Sequence, residues 1–198
     1  ILLDDFNKNK MNRIPLEGVE LNVDYVMVVS TLSGLWAYNT GDTVCFVSKK
    51  PYKILFSGRS SQYCSAFGEH VIEKEVVSSL SRAIELWGGS VTEFTVCPQL
   101  KTNGGLPYHE WFIEFSKKPN NLDSFQDELN REMIKQNIYY KDLINSGVIG
   151  GIRIRSVISG GFDSYMNSIG KLGGQNKCPH LSNERIIANF LIKSYVEK

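Results

Sequence analysis

Near the carboxyl end, the run Gly170-Lys171-Leu172-Gly173-Gly174-Gln175-Asn176-Lys177-Cys178-Pro179-His180-Leu181-Ser182 sets two lysines among glycines. Glycines let a backbone approach a ligand closely, Pro179 fixes the exit of the loop, and Lys177 projects a mobile cation from it. That combination delivers charge to a phosphate. Lys171 is the rival lysine of the same loop. Taken alone, the pattern is most often that of a solvated surface loop. A second segment far upstream, Gly34-Leu35-Trp36-Ala37-Tyr38-Asn39-Thr40-Gly41-Asp42-Thr43-Val44, followed by Phe56-Ser57-Gly58-Arg59, adds a carboxylate at a tight Gly-Asp turn and an arginine. The remaining residues with chemical capacity carry structural readings. His70 and His109 are not spaced with carboxylates or thiols as metal ligands, so they are expected on a surface or an edge strand and no metal site is expected. Glu69 is expected near a helix N-terminus, where the dipole favours it. No Ser-His-Asp or Cys-His arrangement stands out, and Cys178 is read as a loop thiol.

The elements that must position these residues change character along the chain. From Val23 to Gly58 short β-rich runs (25–32, 35–38, 43–47 and 52–56) are separated by turn signals, which predicts a small antiparallel unit. After Arg59 the period becomes helical: Val71, Ile72, Val76, Leu80, Ala83, Ile84 and Trp87 form one face, and Gly88-Gly89 stops it. Two strands follow around Phe94–Val96 and Trp111–Phe115, each with one strongly apolar face. Leu122, Phe125, Leu129 and Met133 mark a second helix. A strand at Ile152–Val157, a short helix at Phe162–Ile169, and a last helix capped by Ser182 with Ile186, Ile187, Phe190 and Leu191 inward complete the order. Strands and helices intersperse without a strict βαβ repeat, so the fold class is α+β. The change at Gly58 to Ser61 is the candidate domain boundary.

The 198 residues are 42% hydrophobic, enough for a sizeable core in one large or two small domains. With 22 Lys and Arg against 21 Asp and Glu the net charge is +1, and no basic block is present, so neither nucleic acid nor membrane is expected as a partner. Four cysteines without Cys-x-x-Cys spacing suggest free thiols in a reducing, cytoplasmic setting. The opening residues show no charged leader or long apolar run, so no signal peptide or membrane span is expected, and a start without methionine suggests a piece of a longer protein.

In this order the segments resemble the auxin-responsive promoter family of acyl acid amido synthetases, a branch of the adenylate-forming superfamily. The resemblance rests on Ile14-Pro15-Leu16 with Val19-Glu20, the Gly-Leu-Trp-x-Tyr-x-x-Gly-Asp segment, Pro51-Tyr52, Gly58-Arg59, Ala66-Phe67-Gly68-Glu69, His109-Glu110-Trp111, and the final Lys-Leu-Gly-Gly-Gln loop with Leu181-Ser182-Asn183. It implies that residues 1–59 are the β-rich end of an amino-terminal adenylation domain and 60–198 a mobile carboxyl-terminal lid. It also implies ATP and Mg²⁺, an acyl acid and an amino acid as substrates, and the rest of the adenylation domain as a partner. Asp42 matches the aspartate that accepts hydrogen bonds from the ribose hydroxyls, and Arg59 adds donors to the ribose or the α-phosphate. Lys177 matches the lid lysine that sits between the carboxylate and the α-phosphate.

Two departures from the family pattern stand out. His180 stands where an arginine is usual, and a histidine is expected to be mostly uncharged at neutral pH. The hinge carries Ser60 and Ser61 where relatives commonly have an aspartate or lysine, although serines still permit rotation. The phosphate loop, the acid pocket and the Mg²⁺ carboxylates of such enzymes are not visible in this chain. Two other functions remain open on sequence: an α+β RNA-binding module using Arg153 and Arg155, and a degenerate family member acting through protein contacts.

Overall fold

A computed structural model describes residues 1–7, 10–60, 63–102, 104–173 and 176–197, with the side chains of Asn7 and Arg59 also outside the description. The chain forms two compact units, 1–62 and 63–198.

The first unit is built on an antiparallel sheet in the order β1-β2-β3, with β1 at Asp24–Val29, β2 at Tyr38–Lys49 and β3 at Tyr52–Arg59. A short helix α1 (Leu3–Asn7) and a 3-10 turn (Leu16–Gly18) precede it. Val19, Tyr25, Val44 and Phe46 form its small core, with the Tyr25 and Phe46 rings edge to face at 5.9 Å. The sequence splits this region into four runs. The structure instead carries β2 unbroken through Asn39-Thr40-Gly41, and the run at 35–38 is no separate strand.

The second unit is an α+β sandwich. A two-residue ladder pairs β4 (Tyr63–Cys64) with β5 (Val71–Ile72), and the main sheet has the order β6-β7-β8. β6 (Ser90–Gln99) runs antiparallel to β7 (Tyr108–Lys117), and β8 (Arg153–Val157) runs parallel to β7. Helices α2 (Glu73–Trp87) and α3 (Leu122–Gln136) cover one face: Val76, Leu80, Phe125, Leu129 and Met133 pack with Phe94, Trp111 and Ile113. On the other face Phe112 and Val157 pack with α5 (Gly161–Ser168) and α6 (Ile186–Ser194) through Phe162, Met166, Ile187 and Leu191. The β7 strand is therefore central and buried on both faces, where the sequence pattern predicts one strongly apolar face.

Helix boundaries follow local chemistry. Ile72 has no side-chain acceptor to cap α2, but the Glu75 carboxylate reaches back to the Ile72 N–H at 3.1 Å, which supplies the carboxylate half of a capping box. Gly88, at φ 72°, closes α2 by donating its N–H to the Ile84 carbonyl, a left-handed stop open to glycine. Asn121 caps α3 through the Ser124 N–H, and Asn137 caps α4 (Ile138–Asn145) through the Tyr140 N–H, both at 2.8 Å. The sequence reading has no α4. The last helix also differs: it begins at Ile186, not at Ser182, and buries Ile187, Ala188 and Leu191 while Ile186 stays exposed.

Because Leu129 is fully buried between the helices and the sheet, Leu129→Ala is expected to destabilise the second unit by about 2–5 kcal/mol through lost transfer energy and a residual cavity. Urea denaturation followed by circular dichroism measures it. A loss under about 1 kcal/mol would contradict this packing.

Candidate functional site

In the first unit the Gly-Asp segment forms a bulge, not a turn. Val26 pairs with Thr43 and Val28 with Asn39, so Met27 alone faces Thr40, Gly41 and Asp42. Gly41 takes φ 77° at the bulge, a conformation glycine adopts without steric cost. Neighbouring side chains hold the shape: Asn39 Oδ1 accepts the Gly41 N–H at 2.9 Å, and Thr40 Oγ1 accepts the Asp42 N–H at 3.1 Å while donating to the Met27 carbonyl at 3.2 Å. Half-buried Asp42 faces Arg59 across the β2–β3 ladder. Ser60 then donates its N–H to the Gly41 carbonyl at 2.8 Å and its hydroxyl to the same oxygen at 3.2 Å. The backbone thus gathers Asp42, Arg59 and Ser60 at one end of the sheet. Ser61 and the Arg59 side chain lie outside the described residues.

In the second unit the lysine loop ends on the free edge of β6. Leu181 forms a parallel bridge with Val96, whose N–H donates to the His180 carbonyl at 2.9 Å and whose carbonyl accepts from the Ser182 N–H at 3.0 Å. Thr95 Oγ1 donates to the Pro179 carbonyl at 2.7 Å. This capture explains why Ser182 does not start a helix. His180 lies stacked on Phe94, ring centroids 4.3 Å apart, with Nδ1 2.7 Å from Glu73 and Nε2 3.2 Å from Glu93. Cys178 is buried, and Lys177 immediately before it is exposed. At the other end of the loop the Lys171 N–H donates to the Met166 carbonyl at 2.9 Å. Both lysines line a cavity of about 200 Å³ together with Thr92, Glu114 and Asp163. Gly174 and Gln175 of the loop lie outside the described residues.

The His180 ring departs from its expected neutral state. Burial pushes the imidazolium down, but hydrogen bonds to Glu73 and then Glu93 outweigh it and hold the group up at about 9. At neutral pH the ring is a cation between two carboxylates.

Charged residues of the central strand are also committed. Glu110 is buried and accepts from Arg155 at 2.8 Å and Arg185 at 2.6 Å. Arg153 stacks over the Tyr108 ring at 4.4 Å. The arginines that an RNA-binding sheet would present are thus engaged within the protein. Glu114 accepts N–H groups from Gly160 and Phe162 at the start of α5, at 2.9 and 3.4 Å, where the helix dipole favours a carboxylate.

One constellation escapes the sequence reading. His109 is fully buried on central β7, not on a surface or edge strand, and its Nε2 lies 2.8 Å from Glu69 Oε1 and 3.7 Å from Cys64 Sγ. Glu69, also fully buried, lies between β4 and β5 and precedes the helix by four positions. Burial would raise its carboxyl, but the His109 hydrogen bond and charge outweigh that and hold it below the usual range. Chain order alone gives no signal for this cluster, because His109 is 40 and 45 residues from its partners. The four cysteines are free and buried, and burial pushes the Cys97 and Cys178 thiols up to about 12.

The fold has solved counterparts. A GH3.15 acyl acid amido synthetase superposes with a TM-score of 0.72 at 22% identity, over 93% of this chain and 35% of that one. The sequence profile of the GH3 family C-terminal domain matches residues 74–186, and that of the GH3 family central domain matches residues 1–59. The chain belongs to the GH3 family. Among its relatives, the 4-substituted benzoates-glutamate ligase GH3.12 of Arabidopsis thaliana is 28% identical over 90% of this chain and 34% of its own length. The indole-3-acetic acid-amido synthetase GH3.10 of the same plant is 25% identical over 98% of this chain and 34% of its own. The chain thus spans about a third of the length of these relatives, and corresponds to their carboxyl-terminal portion. Among the described residues, no helix is long and apolar enough to cross a membrane.

The charge on His180 carries a pH signature. A histidine raised from 6.5 to about 9 on folding stabilises fully below 6.5, and that contribution is lost as pH rises through about 9. The melting temperature of wild type is expected to fall across this window, and His180→Gln to be less stable at low pH and flatter across the window. Parallel wild-type and variant profiles would contradict the assignment.

Proposed function

We propose that this chain is the carboxyl-terminal part of an ATP-dependent acid–amino acid ligase. In this reading residues 1–59 end an amino-terminal adenylation domain and residues 60–198 form a lid that rotates between two half-reactions. The observation that carries it is the family membership combined with Lys177, an exposed cation next to a tract locked onto β6.

The first half-reaction joins an acyl acid carboxylate to the α-phosphate of ATP, with pyrophosphate leaving. In the second, the amine of an amino acid attacks the acyl carbon, forming the amide and releasing AMP. Negative charge grows on the oxygens around the transferring phosphorus in the first step. Lys177 would stabilise that charge, and Lys171, on the same cavity, would add field or a second contact. Asp42 accepts the ribose hydroxyls in this scheme, and Arg59 donates to the ribose or α-phosphate. The backbone pairing of the two residues supports a shared nucleotide edge. Ser60, tied to Gly41, and Ser61 make up the hinge. His180 supports the loop by its clamp: both ring nitrogens already face carboxylates, so its contribution to phosphate binding is indirect.

The acid pocket and phosphate loop belong to the part of a longer protein that the relatives possess in addition. Apolar side chains left exposed in the first unit, Trp36 (87%), Phe56 (62%) and Leu55 (56%), fit a surface that such a part covers. Mg²⁺ prefers oxygen donors. The one cluster of three or more candidate ligands among the described residues offers a thiol, an imidazole and a single carboxylate, so it does not fit Mg²⁺. Free buried thiols support a cytoplasmic setting.

In the longest natural form of the protein, acid-dependent pyrophosphate exchange is expected. Lys177→Ala should slow it by about 10²–10³-fold with folding intact, by analogy with removal of an oxyanion donor. Unchanged exchange in the variant would overturn the role of Lys177. Absence of exchange in the wild type across acyl acids would favour a family member that acts through protein contacts alone.

A further inference from the structure

The Cys64, Glu69 and His109 side chains form the one group of three or more potential ligands among the described residues whose donor atoms lie together, all within 4.8 Å of one another. We propose that they form a binding site for a divalent cation of the zinc class, held by one thiolate, one carboxylate oxygen and one imidazole nitrogen. Such a site is separate from the adenylation chemistry and does not depend on it.

The donor set is the first argument. Thiolate, imidazole and carboxylate are the three side-chain types that bind zinc, and three protein donors leave the fourth tetrahedral position to water. The charges also match, because a thiolate and a carboxylate together balance a doubly charged ion.

The spacing agrees. With a Zn–S bond of about 2.3 Å and a Zn–N bond of about 2.0–2.1 Å, tetrahedral geometry puts sulfur and nitrogen about 3.6 Å apart. The Cys64 Sγ to His109 Nε2 distance is 3.7 Å. The Nε2 to Glu69 Oε1 separation of 2.8 Å would open by about half an ångström to admit the ion. The thiol sulfur, the carboxylate oxygen and Nε2 converge on one small volume. A cation between the three atoms serves them all.

The ligands are also held in place. The His109 ring lies between Phe67 and Tyr140, with centroids at 5.5 and 5.3 Å, and the second Glu69 oxygen accepts the Phe67 N–H at 2.8 Å. Tyr140 is fixed in turn by its hydroxyl on Asn130. Packing of this kind locks the ring orientation before metal arrives, while the second ring nitrogen, Nδ1, is buried without a hydrogen-bond partner. On binding, the Cys64 thiol releases its proton to solvent as the sulfur–metal bond forms, and the proton that Nε2 donates to Glu69 leaves that nitrogen, passing to Nδ1 of a neutral ring or to solvent from a charged one, as its lone pair takes the metal. The ion would then tie β4 and the loop before β5 to central β7, closing the first turn of the second unit by coordination.

Because the site is fully buried, loading calls for refolding in the presence of metal. The full chain, unfolded and refolded under reducing conditions with Co²⁺, is expected to bind one ion per chain with a thiolate-to-cobalt charge-transfer band. Zn²⁺ should displace it and raise the melting temperature. Cys64→Ala should abolish the band, His109→Ala should weaken binding at least about 10-fold, and Cys178→Ser should keep the band. If the refolded wild type, native by circular dichroism, binds no stoichiometric Co²⁺ or Zn²⁺, the cluster is an ion pair with a neighbouring thiol and the proposal fails. A band that survives Cys64→Ala, or follows Cys178, overturns it equally.

Discussion

The β7 strand has neighbours on both edges and helices on both faces, and every residue from Tyr108 to Glu114 is buried. A strand in that position cannot carry free charge, since an unpaired carboxylate in the interior costs several kcal/mol. Glu110 and Glu114 therefore need partners, and those partners set much of the unit's architecture. Glu110 draws Arg155 from β8 and Arg185 from the approach to α6. Glu114 receives the opening N–H groups of α5. Two helices on one face are thus docked by apolar packing and oriented by the acids of the strand beneath them.

The same economy shapes the lysine loop. Its entry leaves α5, which Glu114 anchors, and its exit lies along β6 beside the Glu73–His180–Glu93 clamp. Packing fixes the frame, hydrogen bonds fix the two ends of the loop, and Lys177 remains outside both. In the first unit a different device serves a comparable purpose, with one extra-wide bulge in β2 turning Asp42 toward the end of β3.

Much of this organisation was legible in the chain. The three- and four-residue spacing of Val76, Leu80, Ala83 and Trp87 with Gly88 behind it defines α2, and Phe125, Leu129 and Met133 define α3, because amphipathic period and stop signal act locally. The ordered motifs around Asp42, Arg59 and Lys177 pointed to the family now shown. What failed to show was non-local. Asn39-Thr40-Gly41 has the composition of a turn, and only pairing with β1 makes it a bulge. Ser182 has the chemistry of a helix cap, yet the β6 edge takes its backbone first. Short α4, with Ile138 and Tyr139 exposed, lacks the long apolar stripe that periodicity detects. His109 looks like any polar residue in an alternating strand, and its burial follows from Glu69 and Cys64 arriving from far along the chain.

The loop fastened at Met166 and again at Val96 has a kinetic consequence. A side chain on a stretch tied down at both ends samples a far smaller volume than one on a free tail of equal length. An anion placed within that volume would meet the lysine at a raised local concentration. Cutting either fastening would dilute the lysine while leaving its charge, and every residue of the loop, unaltered.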